Sequence, residues 1–526
     1  MATPRRTLGQ ISDLSAAELA RQIAAGGISS REAVEAHIAR IEAVNPKLNA
    51  LVVRLFDEAR AQAAAADAAR ARGERLGPLH GVPVTIKESF DVAGTPTTAG
   101  LTHRASHRAE ADAPTVARLR EAGAILLGKT NVPQLLMMNE SDNPLYGRAN
   151  NPWNVERTPG GSSGGEAALI AAHGSPLGLG SDIGGSVRLP ATACGISSLK
   201  PTTGRLTMRG HFNPLEGQEA VRAQPGPMAR SVEDLALAYW ILVAEGHDAS
   251  DPSVSPAPVY DPAKVSLAGR RILFYTDNGH FSPSPPFRRA VHEAAEALRS
   301  RGAEVEEWRP PEVGAAWEIY LSLLLADGGA TMRRVTGKSK RDWRVQQYFR
   351  MFALPEFVRP AVALAFAASG QRRAAAGIRA MRASSVEEYW RWVDARDRYV
   401  ARFLGELERH GADAILCPPD GLPAMPHGSS YYIGDVLSYT ALYNLLGLPA
   451  GVVAATRVRA GEESDRPASR DVSERTAKKG EAGSAGLPVG VQVVARHWRE
   501  DVVLALMAAL EEYFRAQPDY PAHPPL

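Results

Sequence analysis

The sequence predicts an α/β fold built on one large mixed sheet, and three observations carry that expectation. Short apolar runs of strand type, ALVVRL from Ala50, VPVTI from Val82 and AILLG from Ala124, alternate with helical stretches at Asp57–Arg72 and Pro114–Ala122. The Gly- and Ser-rich segment between Pro159 and Arg205 is interleaved with the apolar runs AALIAAHG and PLGLG, packing residues that a flexible linker has no reason to carry. No internal repeat divides the chain.

Taken in order, residues 15–45 read as two short helices forming an amphipathic cover, with Gly26 and Gly27 closing the first and Ser30 capping the second. The strand-type runs and their helices follow, and the Gly/Ser-rich segment comes next. The stretch 457–486, RVRAGEESDRPASRDVSERTAKKGEAGSAG, is charged and nearly free of large apolar side chains, so it reads as a polar, solvated surface loop.

Composition excludes several function classes. Sixty Lys and Arg against 58 Asp and Glu leave a net charge of +2, too balanced and too scattered for a nucleic-acid partner. The two cysteines, Cys194 and Cys417, stand far apart, which implies neither a disulfide framework nor a structural zinc site and fits a reducing cytoplasm. The N-terminal residues hold no apolar signal-peptide core, and no apolar run has the length to span a bilayer.

Three motif matches fail on context. Gly161–Gly165 fits G-x-S-x-G with Ser163 as nucleophile, but NPWNVERTP precedes it where a nucleophile elbow needs a buried strand. Ser197-Ser198-Leu199-Lys200 fits S-x-x-K and Ser141-Asp142-Asn143 fits S-D-N, yet their order is reversed and no K-T-G occurs. His103 and His107 stand four apart in a polar stretch with no further ligand signature, which suits exposed histidines better than a metal.

Other residues have the chemistry that amide cleavage needs: a nucleophile, a base, an acid for the amine and donors for the oxyanion. Ser186 follows Gly184 and Gly185, whose bare backbone can turn N–H groups toward a substrate oxygen. Ser162 lies in GGSSGG, and Lys87 ends the strand-like run GVPVTIK. Burial there would lower the lysine from its usual value near 10.4 by up to about 3–5 units and make it a usable base. Serines in Gly-rich turns are common, so this spacing alone leaves a structural role open for each.

The segment GGSSGGEAALIAAHGSPLGLGSDIGGSVRLPATACGISSLKPTTGRL resembles the signature segment of the amidase signature family, and GVPVTIKESF resembles its lysine motif. The resemblance implies a large twisted mixed sheet covered by helices, in a single domain over 1–526 with its signature core over about 80–240. It implies Ser186 as nucleophile, Ser162 as a bridging serine preceded by a cis peptide bond, and Lys87 as base. It further implies an oxyanion hole from the N–H groups of Ile183, Gly184, Gly185 and Ser186, with Ser163, Asp182 and Arg188 in support. No metal or organic cofactor enters the implied acyl-enzyme mechanism.

Within the family the chain is most similar to the fatty acid amide hydrolase branch, through SDNPLYGRANNPW, GQEAVRAQPGPMARSVEDLAL, SYTALYNLLGLPAGVV and GLPVGVQVVA, and through Glu166 and Ile183. That branch implies a small lipid-like amide as substrate, with Leu136, Met137, Met138 and Leu189 lining its channel; plain core packing fits each of these four equally well. The segment 348–381 mixes aromatic and aliphatic side chains with arginine, which suits a bilayer surface or a buried interface, including a homodimer contact. The branch's N-terminal membrane helix has no counterpart here, so at most peripheral membrane contact is expected. The alternatives are a broad amidase for short aliphatic or aryl amides, a catalytically silent binding subunit, or one subunit of an amidotransferase.

Overall fold

The computed structural model describes residues 6–247, 249 and 251–526. Among these residues eleven strands form one sheet. They are β1 (Leu51–Arg54), β2 (Pro83–Lys87), β3 (Ile125–Thr130), β4 (Leu177–Asp182), β5 (Ser197–Lys200) and β6 (Gln224–Ala229). The sheet continues with β7 (Arg271–Phe274), β8 (Glu304–Glu307), β9 (Ala414–Cys417), β10 (Ala450–Arg457) and β11 (Pro488–Ala495). Their spatial order is β1-β3-β2-β4-β6-β5-β10-β11-β9-β7-β8. The sheet is mixed as expected: β3, β2 and β4 run parallel, as do β9, β7 and β8, and the central strands pair antiparallel.

Helices cover both faces, so the central strands are buried on both sides and read as nearly continuous apolar runs, as in VVAA of β10 and VQVV of β11. Two short helices, Gly164–Ala171 and Arg188–Cys194, are buried along their whole length, which their small and aliphatic residues permit. The first sits hard against β4: a Cβ on Gly178 would overlap the Glu166 carboxylate. That close approach places Glu166 beside Thr85 and Thr130, whose hydroxyls donate to it.

This architecture positions the site. Strands β2 and β4 are parallel neighbours with Ile86 opposite Leu179, so their carboxyl ends, Lys87 and Ser181-Asp182, emerge at the same edge of the sheet. Open α/β sheets bind their ligands at that edge.

Two expectations are corrected. The stretch 457–486 lies largely at the surface as expected but is not loop throughout: it contains the helix Val472–Glu481, capped by Asp471, and Arg466 is buried between Glu474 and Glu481 with its guanidinium over Phe281. Its charges are spaced so that they neutralise one another, which lets the segment pack. The cap of the second N-terminal helix, Ser30–Leu48, is Ser29, whose hydroxyl accepts from Glu32 N–H; Ser30 is its first helical residue.

The segment 348–381 covers the end of the helix Trp343–Phe352 and all of Arg359–Ala368 and Arg372–Ala380. The last two pack together through Ala363, Ala375 and Ile378. Leu364 on the first of them is 66% exposed, and Phe357, in the 3-10 turn Glu356–Val358 that precedes it, is 84% exposed. Among the described residues no single helix is long and apolar enough to cross a membrane; the pair Trp343–Phe352 and Glu356–Ala368 passes only together, bent by 89°.

Candidate active site

Lys87 is fully buried at the end of β2. Its Nζ stands 2.7 Å from Ser162 Oγ and 2.9 Å from Ser181 Oγ, with Ser181 O at 3.4 Å. Burial lowers its pKa to about 7 against the opposing pull of Asp182 and Glu166. A large neutral fraction at neutral pH follows, and a neutral amine can accept from Ser162 O–H over the same 2.7 Å. Glu166, also fully buried, is raised to about 7 by desolvation, with the Thr130 and Thr85 hydroxyls and Lys87 acting the other way.

Ser162 follows a cis peptide bond from Gly161, as the family resemblance implies. Ser163 opens the helix Gly164–Ala171, and its N–H donates to Ser186 O at 3.1 Å, tying the two serine loops together. Among the described residues no hydrogen bond joins Ser162 Oγ to Ser186 Oγ, although both side chains line one cavity. Sites without substrate commonly hold such contacts long.

Asp182 and Arg188 form the frame under the Ile183–Val187 turn. Both side chains are completely buried, Arg188 reaching Asp182 through Nε at 3.0 Å and Nη2 at 2.9 Å. Arg188 also donates to Thr440 O, Gln492 Oε1 and Asn444 Oδ1. Burial alone would raise Asp182, but Arg188, Lys200 and Asn444 hold it well below the usual carboxylate range.

This carboxylate accepts the N–H of Gly185 at 2.8 Å and of Val187 at 3.2 Å. Gly185 N–H is therefore already committed, whereas the N–H groups of Ile183, Gly184 and Ser186 have no acceptor among the described residues. Three of the four expected oxyanion donors are free. Gly185 has φ +127°, a conformation only glycine adopts readily, and a Cβ there would overlap Thr440 and stand 2.8 Å from Leu189 Cδ1.

Two cavities meet at Ser186. The larger, about 1030 Å³, is walled by Leu136, Met137, Met138 and Leu189 and roofed by the helices over 359–380. All four expected channel residues thus border it. The smaller, about 210 Å³, is lined by Ser162, Ser181, His211, Asn213, Gln218 and Arg222 among others.

Several contributors escaped the sequence reading. Ser181 contacts Lys87, His211 contacts Ser181, Tyr320 donates to Ile183 O at 3.2 Å, and Thr440 donates to Gly184 O at 2.7 Å. Ser181 alone had a signal, its place beside Asp182 at the end of a strand-like run; the others come from distant segments. His103 and His107 are exposed as expected. Asp13, His173 and His523 bring metal-type donors within 4.8 Å of one another. The two imidazoles stack at 15°, however, so their lone pairs do not converge, and none of the three lines either cavity.

A mixed sheet with a buried lysine and a serine cluster at the carboxyl ends of its parallel strands belongs to the α/β folds that act on ligands at that edge. The chain belongs to the amidase signature family: the amidase family model matches residues 32–504. It is 33% identical over 499 residues to fatty-acid amide hydrolase 1 of Sus scrofa, covering 94% of this chain and 84% of that one. It is also 34% identical over 502 residues to one subunit of the glutamyl-tRNA(Gln) amidotransferase of Roseiflexus castenholzii, covering 93% and 94%. A solved structure of fatty acid amide hydrolase superposes with a TM-score of 0.85 at 29% identity, covering 98% of this chain and 87% of that chain.

Proposed function

We propose that this amidase-family hydrolase cleaves carboxylic amides through a Ser186, Ser162 and Lys87 relay, with fatty acid amides such as N-acylethanolamines as substrates. The observation that carries the relay is the buried Lys87 Nζ at 2.7 Å from Ser162 Oγ, on the wall of a cavity that Ser186 shares.

Neutral Lys87 takes the Ser162 proton as Ser162 takes that of Ser186, and Ser186 attacks the carbonyl carbon. The free N–H groups of Ile183, Gly184 and Ser186 receive the oxyanion. The proton returns through Ser162 to the amine, leaving an acyl-enzyme, and water attacks with the same relay as base. Ser163, Asp182 and Arg188 hold the two serine loops in register.

The fatty-amide reading is supported by the larger cavity, whose size and apolar wall suit a long acyl chain, and by the likeness to fatty-acid amide hydrolase 1 of Sus scrofa. Each buried methylene is worth about 0.8 kcal/mol, so two added methylenes are expected to raise kcat/KM roughly tenfold until the cavity is full. Ethanolamides of increasing acyl length, assayed with detergent controls, measure this. A flat profile that still depends on Ser186 would leave the hydrolase and remove the lipid substrate, favouring short aliphatic or aryl amides. Glutaminase activity that requires co-purifying partner chains would favour an amidotransferase role, in keeping with the likeness to the Roseiflexus castenholzii protein.

The roof of the larger cavity supports peripheral contact with a lipid surface: Val362 and Phe366 border the cavity, while Phe357 and Leu364 face outward on the same segment. Sedimentation with phosphatidylcholine vesicles should carry the protein down and lose it on replacing Phe357 and Leu364 by Ser. No binding by the wild type, with the same replacements converting a dimer to a monomer, would assign this face to a second copy instead.

A further inference from the structure

Every carbonyl from Asp182 to Ser186 has a donor. Asp182 O accepts from Asn444 Nδ2 at 3.4 Å, Ile183 O from the Tyr320 hydroxyl at 3.2 Å and Gly184 O from the Thr440 hydroxyl at 2.7 Å. Gly185 O accepts from Leu189 N–H at 2.7 Å and Ser186 O from Ser163 N–H at 3.1 Å. On the N–H side the same peptides divide: Gly185 and Val187 donate to Asp182, while Ile183, Gly184 and Ser186 have no acceptor among the described residues. In a trans peptide the carbonyl and the N–H that follows it point in opposite directions, so a donor on the carbonyl sets where the N–H aims.

The Gly184–Gly185 peptide is held at both ends, by Thr440 and by Asp182. The trans Ile183–Gly184 peptide, whose N–H is one of the free ones, is held at its carbonyl end by Tyr320. Tyr320 is itself firmly placed. It stands on the helix Val313–Leu324 with its ring stacked on Trp317 at 5.5 Å and 12°, and Trp317 Nε1 donates to Asp435 Oδ1 at 3.0 Å. Burial, and then the Asp182 charge, hold the phenol well above its ordinary pKa, so it stays a donor. A Cβ on Gly184 would overlap the Tyr320 hydroxyl, as one on Gly185 would overlap that of Thr440. The two glycines before Ser186 thus make room for two hydroxyls from distant segments.

We propose that Tyr320 is a positioning residue of the oxyanion hole: by holding Ile183 O it aims Gly184 N–H at the oxygen that becomes negative when Ser186 attacks. The hold is made before substrate arrives, so it acts on the transition state rather than on binding. Thr440 has the lesser part, since the peptide it touches has its N–H already committed to Asp182. The inference rests on Ser186 attacking as proposed above.

The test is Tyr320→Phe, which keeps the ring stacked on Trp317 and removes the hydroxyl. Hydrolysis is read with lauroyl ethanolamide and with butyranilide, so that the outcome does not hang on acyl length. With both, kcat is expected to fall about tenfold at unchanged KM, close to one net hydrogen bond and below the roughly 10²–10³-fold that follows from deleting an oxyanion donor outright. Undecyl trifluoromethyl ketone adds the Ser186 oxygen to its carbonyl carbon, the serine proton passes to the relay and the carbonyl oxygen takes the negative charge. Its inhibition should weaken by the same factor, while that of the corresponding secondary alcohol, which fills the same space without an oxyanion, should stay as it is. Unchanged alcohol binding also verifies that the variant is folded. Thr440→Val should lose about twofold at most. An unchanged kcat, a loss confined to KM, equal weakening of ketone and alcohol, or a loss in Thr440→Val as large as in Tyr320→Phe would overturn the inference while leaving the relay standing. Hydrolysis that survives Ser186→Ala would instead overturn the relay itself.

Discussion

Replacing Lys87 by Met is expected to lower kcat by about 10³–10⁴-fold while the protein stays folded. A positioned general base contributes about 10²–10⁴-fold, and here the same group also returns the proton to the amine. Met fills a similar volume, and it removes an amine that pays a desolvation penalty in a fully buried site, so thermal unfolding followed by circular dichroism should be unchanged or shifted upward. In the unsubstituted protein, kcat/KM should rise tenfold per pH unit below about 7 and level off above it, because the active form is the neutral amine and burial has brought its pKa to about 7. Glu166 is raised to about 7 as well, so the observed limb belongs to the pair. The sign of their interaction is fixed: the Glu166 charge raises Lys87. Glu166→Gln should therefore move the limb to lower pH, and a limb that moves upward would contradict the assignment.

The second large effect lies in the frame rather than the relay. Arg188→Met strands the Asp182 carboxylate in a site where both side chains are completely buried. Removing one member of such a pair costs about 3–5 kcal/mol. The other acceptors of the guanidinium, Thr440 O, Asn444 Oδ1 and Gln492 Oε1, lie far away in sequence, on the helix Ser438–Leu445 and on β11, so the cost spreads through the middle of the molecule. The denaturation midpoint in urea should fall sharply, and activity should fall further than stability because Asp182 also holds Gly185 and Val187 in place. Adding Asp182→Asn to Arg188→Met should restore part of the stability, since no charge is then left buried, but none of the activity. A single variant as stable as the parent would show that the pair is not the support described.

Strand identity was legible in the sequence for β1, β2 and β3, which are short apolar runs alternating with helical stretches, whereas the order β3-β2-β4-β6-β5 depends on pairings that no local pattern encodes. The charged stretch 457–486 misled because composition reports polarity and not pairing: Arg466 is buried by its own neighbours Glu474 and Glu481. Within the site, Lys87, Ser162 and Ser186 were legible as motif residues, and Asp182 and Arg188 as supporting residues through the family resemblance, but their pairing with each other was not. The commitment of Gly185 N–H to Asp182 was not, since it follows from the turn geometry. Nor were Tyr320, Thr440 and His211, which reach the turn or the lysine from segments with nothing to mark them.

The most direct measurement is the mass and position of the covalent adduct formed with a long-chain alkyl fluorophosphonate, which remains on the serine that attacks it. One equivalent on Ser186, formed at a rate that rises with pH through about 7 and collapses in Lys87→Met, is the predicted result. An adduct on Ser162 or Ser163, or a rate on Ser186 indifferent to Lys87, would contradict the account.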